Sequence, residues 1–201
     1  APSTAILDLG STIDSRPQQL ISFAVMGCVF VRKFLGIQNP RVGLLSVGSE
    51  EGKGNRLVRE TYPLFKQSNL NFIGNLEGMD LLTDKANVVV CDGFVGNVLL
   101  KFAEGLGDAL ANFLRANLNG KLPADEVETL ADIVWNLTNQ SRKTSGPFFG
   151  VNGNVIVGHG ASESREVVGA IEMAKRCAEL DLANSIREEL DEFASSIEDI
   201  N

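Results

Sequence analysis

Three segments of this chain repeat one pattern, in which a short apolar run ends in a glycine-bearing turn and leads into a helical pattern. They are residues 5–14 (AILDLGSTID), 44–55 (LLSVGSEEGKGN) and 88–97 (VVVCDGFVGN). Strands that alternate with helices favour a parallel sheet, whose strands all end at one edge. Free backbone N–H groups in a turn before a helix bind anions. The pattern therefore predicts an α/β fold that holds a phosphate at one edge of its sheet.

We expect an open, mostly parallel, Rossmann-like sheet with helices on both faces and an amphipathic helical insertion at 117–147. Apolar runs predict strands at 6–9, 42–47, 71–74, 88–91 and 155–157. Helical periodicity predicts helices at 17–36, 55–66, 97–118, 124–138 and 163–180. The acidic end of the chain, 191–201, is expected to fray.

The charge balance excludes one class of function. Lys and Arg number 18 against 26 Asp and Glu, a net charge of -8, which argues against non-specific nucleic-acid binding. The three cysteines, Cys28, Cys91 and Cys177, are odd in number and lie in apolar or helical patterns. They are interpreted as buried thiols in a reducing cytosol. Apolar runs such as 20–31 are too short to cross a bilayer.

The glycine turns match neither common nucleotide motif. Only three residues separate Gly48 from Gly52, and Lys53 is followed by glycine rather than the Ser or Thr of a P-loop. A dinucleotide GxGxxG does not follow any predicted strand. Lys53 is flanked by glycines at the entrance to a helix. This position is consistent with a phosphate-binding lysine and equally consistent with a solvated surface lysine. Asn97 fits a helix cap, and it also fits a side-chain amide aimed into the cleft.

The remaining polar and amphipathic features allow structural explanations. Asp8 and Asp92, at strand ends, are expected to anchor loops through backbone hydrogen bonds rather than to titrate. The helix at 124–138, beside the single Trp135, is interpreted as packing on the body or on a second subunit. Membrane contact is the alternative, which its four acidic residues disfavour.

Together the motifs resemble the phosphate acyltransferase of bacterial phospholipid synthesis, the PlsX family. The matching stretches occur in family order at 7–10 (LDLG), 23–27 (FAVMG), 39–45 (NPRVGLL), 48–55 (GSEEGKGN), 71–78 (NFIGNLEG), 88–101 (VVVCDGFVGNVLLK) and 159–162 (HGAS). The chain departs from the family at Ser11-Thr12, where Ala-Asn is usual, at Ser46, where asparagine is common, and at Met79, where arginine is frequent. Family members are longer, so we expect 1–201 to be a C-terminal portion.

The resemblance implies transfer of a fatty acyl group from acyl-acyl-carrier-protein to inorganic phosphate, with no metal or organic cofactor. It implies catalytic roles for Lys53, which would hold phosphate or the oxyanion, and for Asn97, which would orient the carbonyl or phosphate. His159 is interpreted as a structural or substrate-positioning residue rather than a proton donor. The further substrate- and phosphate-binding positions implied are Gly52, Gly54, Asn55, Asp92, Gly93, Gly96 and His159.

We expect a cytoplasmic homodimer, and peripheral contact of 124–138 with the inner face of the plasma membrane is the alternative kept open beside it. Three alternatives to the phosphate acyltransferase function remain open. A phosphotransacylase acting on a coenzyme A thioester shares the fold and the chemistry. A catalytically inert dimerising or membrane-docking fragment would use the 124–138 helix alone. A decarboxylating dehydrogenase of similar architecture would need a metal-binding aspartate cluster and a dinucleotide fingerprint, which the sequence lacks.

Overall fold

The computed structural model describes residues 4–139, 145–158 and 164–198. The strands in these ranges are β1 (Ala5–Leu7), β2 (Val42–Leu45), β3 (Phe72–Leu76), β4 (Val88–Val90), β5 (Gly146–Phe148) and β6 (Val155–Val157). The α-helices are α1 (Pro17–Leu35), α2 (Arg56–Gln67), α3 (Gly93–Leu118), α4 (Ala124–Thr138), α5 (Ser164–Glu179) and α6 (Leu182–Glu198). A short 3-10 helix covers Gly78–Leu82.

The chain divides into two compact units. The first comprises residues 1–97 and 177–201, and the second comprises 98–176. Strands β1 to β4 form a parallel sheet in the order β1-β4-β2-β3 within the first unit. The predicted parallel α/β sheet is thus confirmed, and the carboxyl ends of its four strands share one edge.

The core of the first unit lies where α1 and α2 contact the sheet. Leu20 and Val31 of α1 are fully buried, as are Val88 of β4 and Phe65 of α2. Each such side chain contributes about 1.5–3 kcal/mol through burial. Packing against the sheet therefore explains the helical spacing of apolar residues from which α1 and α2 were predicted.

Helix α1 matches the predicted helix at 17–36 to within one residue, and it is longer than the apolar run at 20–31 that the sequence analysis judged too short to cross a bilayer. An 18-residue window within its 19 residues has a mean hydropathy of 1.3, so by length and composition alone the helix could cross a membrane. Half of that window is buried inside the protein. Contacts of α1 with β4, α2 and α6 account for its apolar character.

The prediction that residues 191–201 fray is wrong for the described part of that segment. Helix α6 continues to Glu198 and packs against α1. Leu182 and Ile186 are buried, Phe193 packs against the core, and Glu189 pairs with Arg32 of α1. Their spacing of three or four residues places these side chains on one helix face. The packing of that face against the core keeps the segment helical despite its acidic composition.

The second unit contains an antiparallel pair of short strands, β5 and β6, and the helix α4 at its predicted bounds. Helix α4 is tied to α3 by polar contacts. The Arg115 guanidinium lies 3.0 Å from the Glu128 carboxylate, and the Trp135 indole N–H donates to Asp108 at 2.8 Å. Trp135 therefore has a structural partner within the unit.

Candidate functional site at the carboxyl edge of the sheet

The loop after β1 is organised by one buried carboxylate. Asp8 accepts hydrogen bonds from the backbone N–H groups of Gly10 at 2.8 Å, Ser11 at 2.9 Å and Thr12 at 2.7 Å. Hydrogen bonds to a charged group contribute about 1.5–3 kcal/mol each. Asp8 is thus a loop anchor, as the sequence predicted.

The loop after β2 ends in a conventional helix cap. The Asn55 side-chain oxygen accepts from the Val58 N–H at 2.9 Å, which stabilises the start of α2. Gly54 has a φ of +105°, and a Cβ there would lie 2.6 Å from Val58 Cγ1 and 3.0 Å from Ser46 Oγ. Only glycine fits this turn without strain.

Lys53 lies in this loop with its side chain exposed. Its aliphatic stem covers Gly48, since a Cβ on that glycine would lie 3.0 Å from Lys53 Cγ. The Lys53 ammonium has no hydrogen bond or ion pair among the residues that the structure describes. Because no described carboxylate pairs with the Lys53 ammonium, that ammonium can bind an anion.

The loop after β4 differs from the sequence prediction. Helix α3 begins at Gly93 rather than Asn97, and its cap is Asp92, whose Oδ1 accepts from the Val95 N–H at 2.8 Å. The interpretation of Asn97 as a helix cap is therefore wrong. Its side chain instead faces the first loop, where a Cβ on Gly10 would lie 3.6 Å from Asn97 Cγ. Asn97 is exposed there and can meet a ligand.

Two glycines at the start of α3 lock it against the loop after β1. A Cβ on Gly96 would lie 1.8 Å from the Asp8 carbonyl oxygen, and one on Gly93 would lie 2.3 Å from the Thr12 carbonyl oxygen. The Gly96 N–H donates to the Asp92 carbonyl at 2.9 Å. Gly96 therefore serves close packing and the helix, and its N–H is not left for a ligand.

A polar cavity of 570 Å³ lies at this edge, within the first unit. It brings together the starts of α1, α2 and α3. The predicted residues Asn55 and Asp92 line it, whereas Lys53, Asn97 and Gly52 do not. The full lining is Asp14, Ser15, Arg16, Pro17, Asn55, Arg56, Leu57, Glu60 and Asp92.

Sequence reasoning missed Ser15, Arg16 and Arg56 as site residues. The sequence motifs assigned no role to these three residues. The available signal was that each arginine stands beside a helix N-terminus that follows a sheet-edge loop. The predicted site residue His159 lies outside the described residues.

The cysteines near the site are not nucleophiles. Burial raises the pKa of the Cys28 thiol to about 11. Burial, together with the Asp92 and Asp8 carboxylates, raises the pKa of Cys91 to about 12. All three cysteines are buried free thiols, which confirms the prediction from the sequence. Among the described residues, no group of three His, Cys, Asp or Glu side chains is arranged to hold a metal ion.

We expect the cysteines of the folded protein to resist alkylation. At pH 8 the thiolate fraction of Cys91 is about 1 in 10,000, because its pKa is about 12. Iodoacetamide should therefore label the urea-unfolded chain fully before any label appears on the native chain, as measured by intact mass. Equal labelling rates in the two states would contradict the buried placement of the thiols.

The comparisons with known proteins agree on one family. The family model described as "Fatty acid synthesis protein" matches residues 2–185. A protein of Desulfitobacterium hafniense (strain DSM 10664 / DCB-2) is 40% identical over 198 residues, which are 96% of this chain and 59% of that protein. One from Thermoanaerobacterium thermosaccharolyticum is 39% identical over 199 residues, covering 97% and 60%. One from Aquifex aeolicus (strain VF5) is 40% identical over 178 residues, covering 85% and 52%.

Each of these relatives is named phosphate acyltransferase. The chain spans 59% of the length of the first of them.

Proposed function

This chain belongs to the fatty acid synthesis protein family, and we propose that it carries the phosphate-binding edge of an acyltransferase. The reaction proposed transfers a fatty acyl group from acyl-acyl-carrier-protein to inorganic phosphate, giving acyl-phosphate for phospholipid synthesis. The observation that carries the proposal is the position of Lys53, whose exposed ammonium lies in the loop between β2 and α2, at the carboxyl edge of the sheet, with no ion pair among the described residues. Helix starts and a lysine ammonium both favour a bound anion.

The chemistry proposed requires orientation more than proton transfer. A phosphate oxygen attacks the thioester carbonyl carbon, a C–O bond forms, and the C–S bond breaks as the thiolate leaves with its electron pair. Inorganic phosphate is anionic at neutral pH, with a second pKa of roughly 6–7 by analogy with phosphate esters, and a thiolate whose conjugate acid has a pKa of about 8.5 is a good leaving group. Neither partner therefore needs a strong general base or acid.

Two side chains are suited to stabilising the negative charge and to orienting the reactants. The Lys53 ammonium would neutralise the phosphate or the developing oxyanion. Such electrostatic stabilisation of the transition state is usually the largest single contribution to enzymatic rate enhancement. The Asn97 amide, exposed beside the first loop, would orient the carbonyl or the phosphate. The loop that carries Asp8 fixes the surface on which Asn97 lies, because the start of α3 packs against it.

Trapping the product with hydroxylamine tests the proposal. The chain should raise acyl-hydroxamate above the no-enzyme background, in which hydroxylamine attacks the acyl-acyl-carrier-protein thioester directly, only when inorganic phosphate is present. The same assay with acyl-coenzyme A distinguishes the alternative phosphotransacylase, which would use that donor at least as well. Hydroxamate that forms equally without phosphate would contradict the proposed acceptor.

We also propose a cytoplasmic homodimer in which the second unit supplies the contact. Phe102 and Phe113 on α3, and Ile133 and Leu137 on α4, are each at least 59% exposed. Exposed apolar side chains in such stripes mark interaction surfaces. The acidic residues of α4 disfavour anionic lipid, so a second copy suits this surface better than the inner face of the plasma membrane.

Replacing two of these side chains tests the homodimer. The double variant Ile133→Asp and Leu137→Asp should shift the mass in light scattering from twice 21.6 kDa to 21.6 kDa, because it inserts charges into an apolar contact. A wild-type chain that stays monomeric at every concentration would contradict the homodimer. Wild-type pelleting with anionic liposomes, lost in the double variant, would instead support peripheral membrane contact by an otherwise inert fragment.

A further inference from the structure

The cavity at the starts of α1 and α2 contains polar groups that the proposed transfer of acyl groups to phosphate does not use. Ser15 is 7% exposed, and its hydroxyl has no hydrogen-bond partner among the described residues. The Arg16 guanidinium has no ion-pair partner in that part of the chain. Arg56 has one, the Glu60 carboxylate, at 3.9 Å. The cavity thus holds a buried donor and two weakly engaged guanidinium groups.

The charges around the cavity restrict the anion that it can hold. Arg16 and Arg56 are opposed by three carboxylates, those of Asp14, Glu60 and Asp92. The Asp92 carboxylate is partly satisfied because it caps α3. Because the three carboxylates outnumber the two arginines, an anion is held here by direct guanidinium contact rather than by net charge, and a phosphodiester with one negative charge meets less repulsion than a phosphate dianion. The carboxylates and the Asn55 amide can accept hydrogen bonds from amide N–H and hydroxyl groups beside that diester.

The cavity is also large enough to admit a ligand bigger than inorganic phosphate. Its volume of 570 Å³ is within the range of small-molecule sites, about 300–1,000 Å³. The cavity is not lined by Lys53 or Asn97, the residues assigned to the acceptor phosphate. The lining of the cavity therefore differs from the set of residues assigned to the acceptor phosphate, which leaves the cavity for another group of the substrates.

We propose that Arg16 and Arg56, with Ser15, bind the phosphodiester of the prosthetic arm that carries the acyl thioester. The inference rests on the proposed function, in which the donor is a carrier protein with a phosphopantetheine arm. Arg16 and Arg56 grip the diester, and the arm's amide and hydroxyl groups meet the polar wall between the helix starts. This contact holds the donor, while Lys53 holds the acceptor.

Calorimetric titration of the chain with two probes tests the subsite without any catalytic step. The first probe is phosphopantetheine with a methyl ester on its phosphate, which reproduces the diester, and the second is pantetheine. We expect the diester to bind about 10-fold more tightly or better, because a charge-assisted contact to guanidinium is strong. The Arg16→Gln variant should lose that preference. The control Arg59→Gln, on α2 but outside the cavity lining, should keep it.

Three results would overturn the subsite: equal binding of the two probes by the wild-type chain, a preference that survives Arg16→Gln, or displacement of the diester by inorganic phosphate. Arg16 is exposed, so its replacement leaves the fold intact, which circular dichroism can verify. A preference that depends on Arg16 supports the subsite even where the hydroxylamine assay finds no acyl transfer. The failure of the transfer reaction and the failure of the subsite are therefore distinguishable.

Discussion

Replacing Lys53 with alanine is expected to reduce phosphate-dependent acyl-hydroxamate formation by about 100- to 1,000-fold, the loss typical of removing one donor to a developing oxyanion. The reason is that Lys53 is a cation at the sheet edge with no internal partner among the described residues. The loss should appear in kcat/KM for phosphate, because the lysine is proposed to hold the acceptor or the charge that forms on attack.

A second lysine of the same region provides the control. Lys66, on α2, lies 3.3 Å from the exposed Glu51 carboxylate. Exposed ion pairs of this kind contribute about 0–1 kcal/mol, so Lys66→Ala should leave both the rate and the fold nearly unchanged. Equal rates for wild type and Lys53→Ala would remove Lys53 from the mechanism.

The second large effect is on stability. Gly96→Ala should lower the free energy of unfolding by about 3 kcal/mol or more, the upper range for overpacking. The added methyl group would lie 1.8 Å from the Asp8 carbonyl oxygen and 2.9 Å from its carbon. Since both are backbone atoms of a loop pinned by hydrogen bonds, they cannot move aside at low cost.

The same substitution elsewhere in α3 should have the opposite sign. A Cβ on Gly105 would meet no heavy atom within 4 Å, so Gly105→Ala should stabilise the protein by about 0.5–1 kcal/mol through helix propensity. Urea unfolding followed by circular dichroism measures both changes. A Gly96→Ala variant as stable as wild type would mean that the loop after β1 and the start of α3 are not in close contact.

The local parts of the fold were predictable from the sequence because they depend on local patterns. Helix α4 begins and ends where its periodicity predicted, and the four parallel strands lie at the predicted apolar runs. The start of α3 was misplaced because glycine-rich residues 93–96 resemble a loop in isolation. Tertiary contact explains their composition, since only glycine fits against the Asp8 and Thr12 carbonyl groups.

The candidate site was predictable in part. The anchoring by Asp8 follows from an acidic residue at a strand end before a glycine turn, a local signal. The cavity was not predictable, because Arg16 and Arg56 are 40 residues apart and no local pattern relates them. Their proximity follows from the sheet order, in which β1 and β2 both flank β4 and the helices that follow them start at the same edge.

The most direct test of phosphate as the acyl acceptor is a product balance. The chain is mixed with an acyl-acyl-carrier-protein thioester and inorganic phosphate, acyl-phosphate is followed by ³¹P NMR, and released thiol is counted in the same sample. We predict one acyl-phosphate for each thiol released, with no thiol released when phosphate is left out. Thiol release without acyl-phosphate would identify the activity as thioester hydrolysis and would contradict the proposed function.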